Sequence, residues 1–326
     1  MFLLRSKKHE TVFKKTPYEQ AALIKRLNYE EERKYREQLV QLDEECMARN
    51  RYSNILPYEA NRVHLEHWGL DCDYINASYI QFDGQNAFIA TQGPTMATVE
   101  LFWMMVWQSV REKGIIVMLT RLEEKGRLKC DEYWPSKPME TLKMKSLSVK
   151  LMRTYFIDDM NRHVVHEFLL QCGGKKKIVH HIYYFAWPDF SAPEMDSFLN
   201  ILQFVRELLQ LPAFKGSPVI VHCSAGCGRT GTFMALFRIL NLLEKNHFEL
   251  ASDPIPEIVS ELRSQRMQSV QSLQQLEFLY YVSAKVSVHH RLPRVVITTR
   301  GTHGDDFSDD IKNVSSQSVS LIKRKP

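Results

Sequence analysis

From Tyr18 to about Met47, apolar Leu23, Ile24 and Leu27, and later Leu39 and Leu42, recur at three- and four-residue spacings among Glu, Lys, Arg and Gln, which predicts one or two amphipathic helices. Tyr52 to Leu65, interrupted by Pro57, reads as a loop or extended segment leading into a strand over Tyr74 to Phe82. Val99 to Glu112 carries Trp103, Met104 and Trp107 and predicts a buried helix; the β-branched run Ile115 to Leu119 suits a central strand. His163 to Gln171 and Lys177 to Phe185 flank Cys172, Gly173 and Gly174, the pattern of an antiparallel hairpin, so the sheet is expected to be mixed. Phe198 to Leu209 reads as a helix, Pro218 to His222 as a buried strand running into a glycine-bearing loop, and Thr230 to Lys245 as the helix that follows. Two more helices are expected over Ile255 to Arg263 and Ser272 to Val286, after which Arg291 to Pro326 loses apolar periodicity. The expected architecture is α/β, a twisted mixed β-sheet flanked by helices. Residues 1–18 form an N-terminal extension, 19–290 one large domain without internal repeats, and 291–326 a disordered tail.

Composition narrows this picture. With 44% hydrophobic and 25% charged residues, the 326-residue chain matches an ordinary globular protein and excludes disorder throughout. No apolar run approaches the ~20 residues that cross a bilayer, and Met1 to Leu4 is too brief for a signal-peptide core. A cytoplasmic chain is expected, with nuclear or peripheral membrane association left open; Lys323-Arg324-Lys325 is too short a basic cluster to choose between them. The net charge of +5 comes without a stripe of Lys and Arg interleaved with aromatics, so no nucleic-acid partner is expected, and an anionic substrate suits the balance. Six scattered cysteines, none in a C-x-x-C pair, do not form a disulfide framework, and those that matter are expected to act as thiols.

The chemistry concentrates in Val219-Ile220-Val221-His222-Cys223-Ser224-Ala225-Gly226-Cys227-Gly228-Arg229-Thr230-Gly231. A turn of small residues lets successive backbone N–H groups point inward, and the following helix adds the positive end of its dipole, so the loop can cradle a dianion such as phosphate. A cysteine at the base of that nest, near a guanidinium, is stabilised as the thiolate nucleophile. Arg229 can clamp two phosphoryl oxygens bidentately, and Thr230 can donate its hydroxyl proton to the sulfur. The bland alternative, a buried core cysteine at a strand end, does not explain the whole string in its strand–loop–helix context. The string resembles the signature of the cysteine-dependent protein tyrosine phosphatases, specifically the tyrosine-specific branch with the long domain.

That resemblance implies further roles. Trp187-Pro188-Asp189 is similar to the family's mobile loop, with Asp189 as general acid and then base. Asn50-Arg51-Tyr52 with Ile55-Leu56-Pro57-Tyr58 resembles the recognition loop, whose tyrosine, here Tyr52, makes a pocket deep enough to select phosphotyrosine; Asn54 stands where many relatives carry an aspartate. Arg266 to Ser272 with Gln274-Gln275-Leu276 resembles the segment that positions the hydrolytic water, making Gln271 the first choice and Gln275 the second, while Gln268 replaces a glycine and narrows the cleft mouth. Glu123 to Cys130 resembles the loop whose glutamate, Glu124, anchors the catalytic arginine and whose lysine, Lys129, meets the acid loop. Asp73 to Ser78 and Thr91-Gln92-Gly93-Pro94 resemble framework motifs, and His222 is expected to organise the loop through hydrogen bonds.

The expected reaction is hydrolysis of phosphotyrosine in proteins through a phosphocysteine. Cys223 attacks, and Arg229 with the amides of Ser224, Ala225, Gly226, Cys227 and Gly228 stabilises the phosphoryl group; Asp189 protonates the leaving tyrosine and Gln271 receives the water. Partners are tyrosine-phosphorylated proteins; no cofactor or metal is needed, and the oligomeric state stays open. His163-Val164-Val165-His166-Glu167 is not H-E-x-x-H and is set aside as a zinc site. Cys227, where many relatives have an aliphatic residue, reads as small-residue packing or a redox partner. The competing reading is a catalytically weak phosphotyrosine-binding module, since binding and turnover share the cradle; phosphoinositide hydrolysis is disfavoured by Tyr52.

Overall fold

A computed structural model of the chain describes residues 12–66, 68–157, 162–187, 192–246 and 250–289. Helix α1 (Pro17–Tyr35) opens with Thr16, whose hydroxyl accepts from the Glu19 amide while the Glu19 carboxylate accepts from the Thr16 amide, a capping box followed by a proline at the first helical position. Its apolar stripe Leu23, Ile24 and Leu27 is buried. Phe13, ahead of the expected boundary at residue 19, is buried in the same core, so the packed body reaches further towards the N-terminus than the helix pattern alone indicates. The second amphipathic stretch shrinks to a short helix α2 (Glu44–Met47) capped by Asp43.

A nine-stranded sheet runs in the order β1-β2-β3-β11-β4-β10-β9-β8-β7. Its strands are β1 (Arg62–His64), β2 (Tyr74–Phe82), β3 (Gln85–Thr91), β4 (Lys113–Met118), β7 (Thr141–Lys143), β8 (Ser148–Tyr155), β9 (His163–Cys172), β10 (Lys175–Tyr184) and β11 (Val219–His222). The short pair β5 (Glu123–Glu124) and β6 (Arg127–Leu128) stands apart. The mixed sheet matches the expectation. β1, β3, β7 and β8 were not anticipated: β1 and β7 have only three residues each, and β3 starts on polar residues. β8 does alternate, with Val149 and Leu151 buried and Ser148 and Lys150 less so, a period of two that was legible.

The four central strands β3, β11, β4 and β10 are mutually parallel, and β11 is buried at every position, as a strand covered on both faces must be. Val219 and Val221 face one core, beneath α4 (Met195–Gln210), α5 (Gly228–Lys245), α6 (Ile255–Arg263) and α7 (Leu273–His289); Ile220 faces the other, with Phe102, Trp103 and Met105 of α3 (Val99–Ser109). Because the strands are parallel, their carboxyl ends fall together: the Thr91–Pro94 turn, the Thr120–Glu124 turn, Trp187 and Cys223 all emerge at one edge, where open α/β sheets place ligands.

One cysteine expectation is corrected. Cys46 and Cys72 form a disulfide across 26 residues, with the two Cα atoms 6.7 Å apart, and Arg49 alongside donates to the carbonyls of Cys72 and Tyr74. Cys130, Cys172, Cys223 and Cys227 are free thiols.

Candidate active site

The loop after β11 is shaped by its own small residues and by a buried arginine. Gly226 has φ +73°, and a Cβ there would lie 2.1 Å from the Thr91 carbonyl oxygen, so only glycine fits. Arg266, fully buried, donates to the carbonyls of Gly226 (3.2 Å) and Ala225 (3.0 Å) and to Asn76 Oδ1 (2.7 Å). Those bonds draw the loop carbonyls outward and leave the amides to face inward. The Gly226 amide is directed at Cys223 Sγ (3.3 Å), so the sulfur already has one donor of the cradle. Arg266 was quoted within a motif but given no role, and nothing in its sequence setting distinguishes a buried scaffold arginine from a surface one.

Arg229, one residue into α5, is locked from below. Nη1 and Nη2 donate to Glu124 Oε1 (2.5 Å) and Oε2 (2.9 Å), while Nη1 also reaches Leu119 O and Thr120 Oγ1. Both side chains of the pair are largely buried, and the Arg229 guanidinium lies over the Trp187 ring at 5.9 Å. The anchoring role expected of Glu124 matches this geometry. Thr120, which bonds Glu124 Oε1 at 3.1 Å, completes the anchor and was not foreseen.

His222 is fully buried, and desolvation lowers its pKa to about 4, so the imidazole is neutral. Neutrality sets the direction of a hydrogen-bond chain: Nδ1–H donates to the Cys223 carbonyl (3.0 Å), and Nε2 accepts from Tyr133 OH (2.7 Å). Tyr133 OH in turn accepts from His181 Nε2 (2.8 Å). The organiser role expected of His222 fits; Tyr133 and His181, which hold it, were missed because they lie 89 and 41 residues away and no periodicity links them.

The wall comes from the recognition segment. Tyr52 OH donates to Ser224 Oγ (2.8 Å), since Ser224 Oγ spends its own proton on Lys129 O (2.7 Å). The segment is braced by Arg51, which donates to Gly93 O and Asp131, and by Asn76, which donates to Ile55 O and Asn50 Oδ1. Asn76, itself buried, therefore ties the recognition loop to the phosphate loop through Arg266. The result is a cleft of about 400 Å³ that brings together Tyr52, Asn54, Glu124, Lys129, Trp187, Cys223, Ser224, Ala225, Gly228, Arg229, Gln268, Gln271 and Gln275. Ile55, Ser272 and Gln274 line it as well and were not singled out.

Asp189 lies outside the described residues. Thr230 Oγ1 is buried without a hydrogen-bond partner among the described residues, so its expected donation to the sulfur is not made; the sulfur instead accepts from the Gly226 amide. Gln275 Oε1 accepts from the amides of Gln271 (2.8 Å) and Ser272 (3.3 Å), and its own amide donates to Ser272 Oγ. This is a capping box at the start of α7, and the S-x-x-Q spacing ahead of an apolar run was a sequence signal for it. Gln271 Nε2 donates to Gln268 Oε1 (2.6 Å), which leaves its carbonyl oxygen as the amide acceptor at the mouth. Gln268 itself sits at φ +54° with its amide on Glu31 Oε1. Cys227, fully buried, has its thiol pushed up to about 12 by desolvation, which keeps it protonated and favours the packing reading.

A thiol with an amide on its sulfur and a carboxylate-locked arginine beside it, at the carboxyl ends of parallel strands, defines a cysteine-dependent phosphomonoesterase. The protein-tyrosine phosphatase family model matches residues 46–285. The chain is 51% identical over 269 residues to tyrosine-protein phosphatase 3 of Schizosaccharomyces pombe, spanning 81% of this chain and 88% of that one. It is 39% identical over 237 residues to human tyrosine-protein phosphatase non-receptor type 2, spanning 71% of this chain and 54% of that one. A structure of PTPN18 in complex with HER2 phosphopeptides superposes with a TM-score of 0.74 at 28% identity, covering 82% of this chain and 93% of that one. The chain belongs to the protein-tyrosine phosphatase family, and its activity is hydrolysis of protein phosphotyrosine through the phosphocysteine intermediate general to that family. Among the described residues no helix is long and apolar enough to cross a membrane.

Proposed function

We propose that Cys223 is the nucleophile, Arg229 the phosphoryl clamp and Asp189 the proton donor and acceptor of this phosphatase. The Cys223 thiolate attacks phosphorus, the S–P bond forms as the P–O bond to tyrosine breaks, and the leaving phenolate takes a proton from Asp189. Water then attacks phosphorus, gives its proton to the Asp189 carboxylate, and the S–P bond breaks to restore the thiolate. The observation that carries this reading is the pairing of Sγ with the Gly226 amide beside an Arg229 whose plane is set by Glu124. A phosphoryl group entering the cradle therefore meets donors that need no reorganisation. Gln271, with its carbonyl oxygen at the mouth, orients the water; Gln275 supports it through the cap of α7.

The proposed substrates are tyrosine-phosphorylated proteins in the cytoplasm, in keeping with the phosphopeptide complex of PTPN18. Tyr52, held on Ser224, stands where it can flank a phenyl ring and set the depth of the cleft. The test is phosphate release from a phosphotyrosine peptide against a matched phosphoserine peptide under reducing conditions, with Cys223→Ser and Asp189→Ala alongside. Tyrosine-selective release that disappears in Cys223→Ser and falls by about 10²-fold or more in Asp189→Ala is expected. Binding of the peptide without release by the unaltered chain would instead establish a phosphotyrosine-binding module.

A further inference from the structure

At the end of the sheet remote from the cleft, strand register gathers lysines onto one face. Lys143 of β7 pairs with Ser148 of β8, Ser148 with Gln171 of β9, and Gln171 with Lys176 of β10. Directly paired residues point to the same side of a sheet, so these four form one row. Two residues further along, Thr141, Lys150, Leu169, Ile178 and Lys113 form a second row on that side. The face is the one opposite Val149 and Leu151, which are buried in the core on α3. Lys145, in the turn between β7 and β8, adds one more exposed cation.

Among the described residues Lys143, Lys150 and Lys176 make no ion pair, and the neighbouring carboxylates are engaged elsewhere: Glu140 accepts from the Lys137 amide, Glu100 from the Ser146 amide, and Glu167 pairs with Arg153. Lys143 and Lys176 stand three strands apart, about 14 Å, with only Ser148 and Gln171 between them. Lys176 precedes Tyr183 by seven residues, and Tyr183 lies level with Met118 and His222, so the patch is about 23 Å along the strands from the nucleophile.

We propose that this lysine face is a docking surface for anionic lipid headgroups that seats the phosphatase on a negatively charged membrane while leaving the remote cleft uncovered. The chemistry favours a lipid surface over an acidic protein segment. The cations here are ammonium point charges on long flexible stems rather than guanidinium forks, and the residues between them, Ser148 and Gln171 in one row and Leu169 and Ile178 in the other, include no aromatic anchor. A broad array of point charges suits a plane of headgroups, to which each lysine contributes about a fivefold gain in partitioning.

The full chain is to be sedimented with phosphatidylcholine vesicles and with vesicles containing about one third phosphatidylserine, beside Lys143→Ala/Lys150→Ala/Lys176→Ala and the matching triple arginine variant. Preference for phosphatidylserine that weakens between 0.1 and 0.5 M salt, at about the screening expected of surface charges, is expected for the unaltered chain. The alanine variant is expected to lose about a hundredfold of that partitioning, the arginine variant to retain it, and all three to hydrolyse a soluble phosphotyrosine peptide at the same rate. Three results overturn the proposal: equal binding to both vesicles, an alanine variant that binds as the unaltered chain does, or binding to a poly-glutamate peptide without binding to phosphatidylserine. The last would assign the face to an acidic protein partner.

Discussion

Replacing Glu124 by glutamine tests whether the carboxylate beneath Arg229 serves the reaction or only the fold. In the native arrangement the two guanidinium nitrogens donate to two carboxylate oxygens at 2.5 and 2.9 Å, in a pair whose side chains are 13% and 7% exposed. Glutamine keeps one acceptor and sets an NH₂ group against the second guanidinium N–H. One charge-assisted bond is therefore lost, at about 1.5–3 kcal/mol, and the plane of Arg229 is no longer set from below. If that energy positions the clamp in the transition state, about 1.5–3 kcal/mol converts to a fall in kcat of about 10- to 150-fold. KM should change by less than about threefold, because a loosely held Arg229 still attracts a ground-state dianion. The assay is steady-state hydrolysis of an aryl phosphate and of a phosphotyrosine peptide, with thermal unfolding measured in parallel. A variant that melts lower yet keeps kcat within threefold would refute the reasoning and reduce Glu124 to a structural partner.

Other expectations follow from the same geometry. Gly226→Ala introduces a Cβ at 2.1 Å from the Thr91 carbonyl oxygen on a residue at φ +73°, so the loop must open; activity should fall by at least about 10³-fold with a stability loss of several kcal/mol, and near-native turnover would show that the loop adapts. Gln271→Ala is expected to slow phosphocysteine hydrolysis and leave a burst of tyrosine release, whereas Gln275→Ala should lower stability by about 1 kcal/mol through the lost cap; a burst in Gln275→Ala alone would exchange the two assignments. Burial lowers the pKa of His222 and His166 to about 4 and of His163 to about 3, so between the ordinary histidine pKa and pH 4 the unfolded chain binds more protons than the folded one. Stability should therefore be full above about pH 6.5 and decline as the pH falls towards 4, which urea unfolding at stepped pH reads directly; a denaturation midpoint that is flat across that window contradicts neutral burial of these imidazoles.

The strand–loop–helix unit around Cys223 was legible because it is local. Small residues between an apolar strand and an apolar helix have few alternatives to a nest, and α5 begins two residues before the expected Thr230. The helices over 195–210, 255–263 and 273–289 were legible for the same reason, since an amphipathic stripe is written at intervals of three and four residues. Gln275 shows how one residue can carry two signals: its place in the segment made it the second choice for the water, while its S-x-x-Q spacing already described a helix cap.

What the amino-acid sequence determined by itself is thus the class of chemistry, and it pointed to the proposed nucleophile, clamp and cradle because these lie within seven consecutive positions. Only the tertiary structure decided how those groups are held. Arg266 drawing the loop carbonyls outward, Tyr133 and His181 directing His222, Glu124 and Thr120 fixing Arg229, and the Cys46–Cys72 bridge are all contacts between distant segments. The lysine face belongs with them, since its register exists only once four strands have paired. Such contacts depend on which strands become neighbours, and hydrophobic periodicity specifies the face a residue buries but not the partner it meets there.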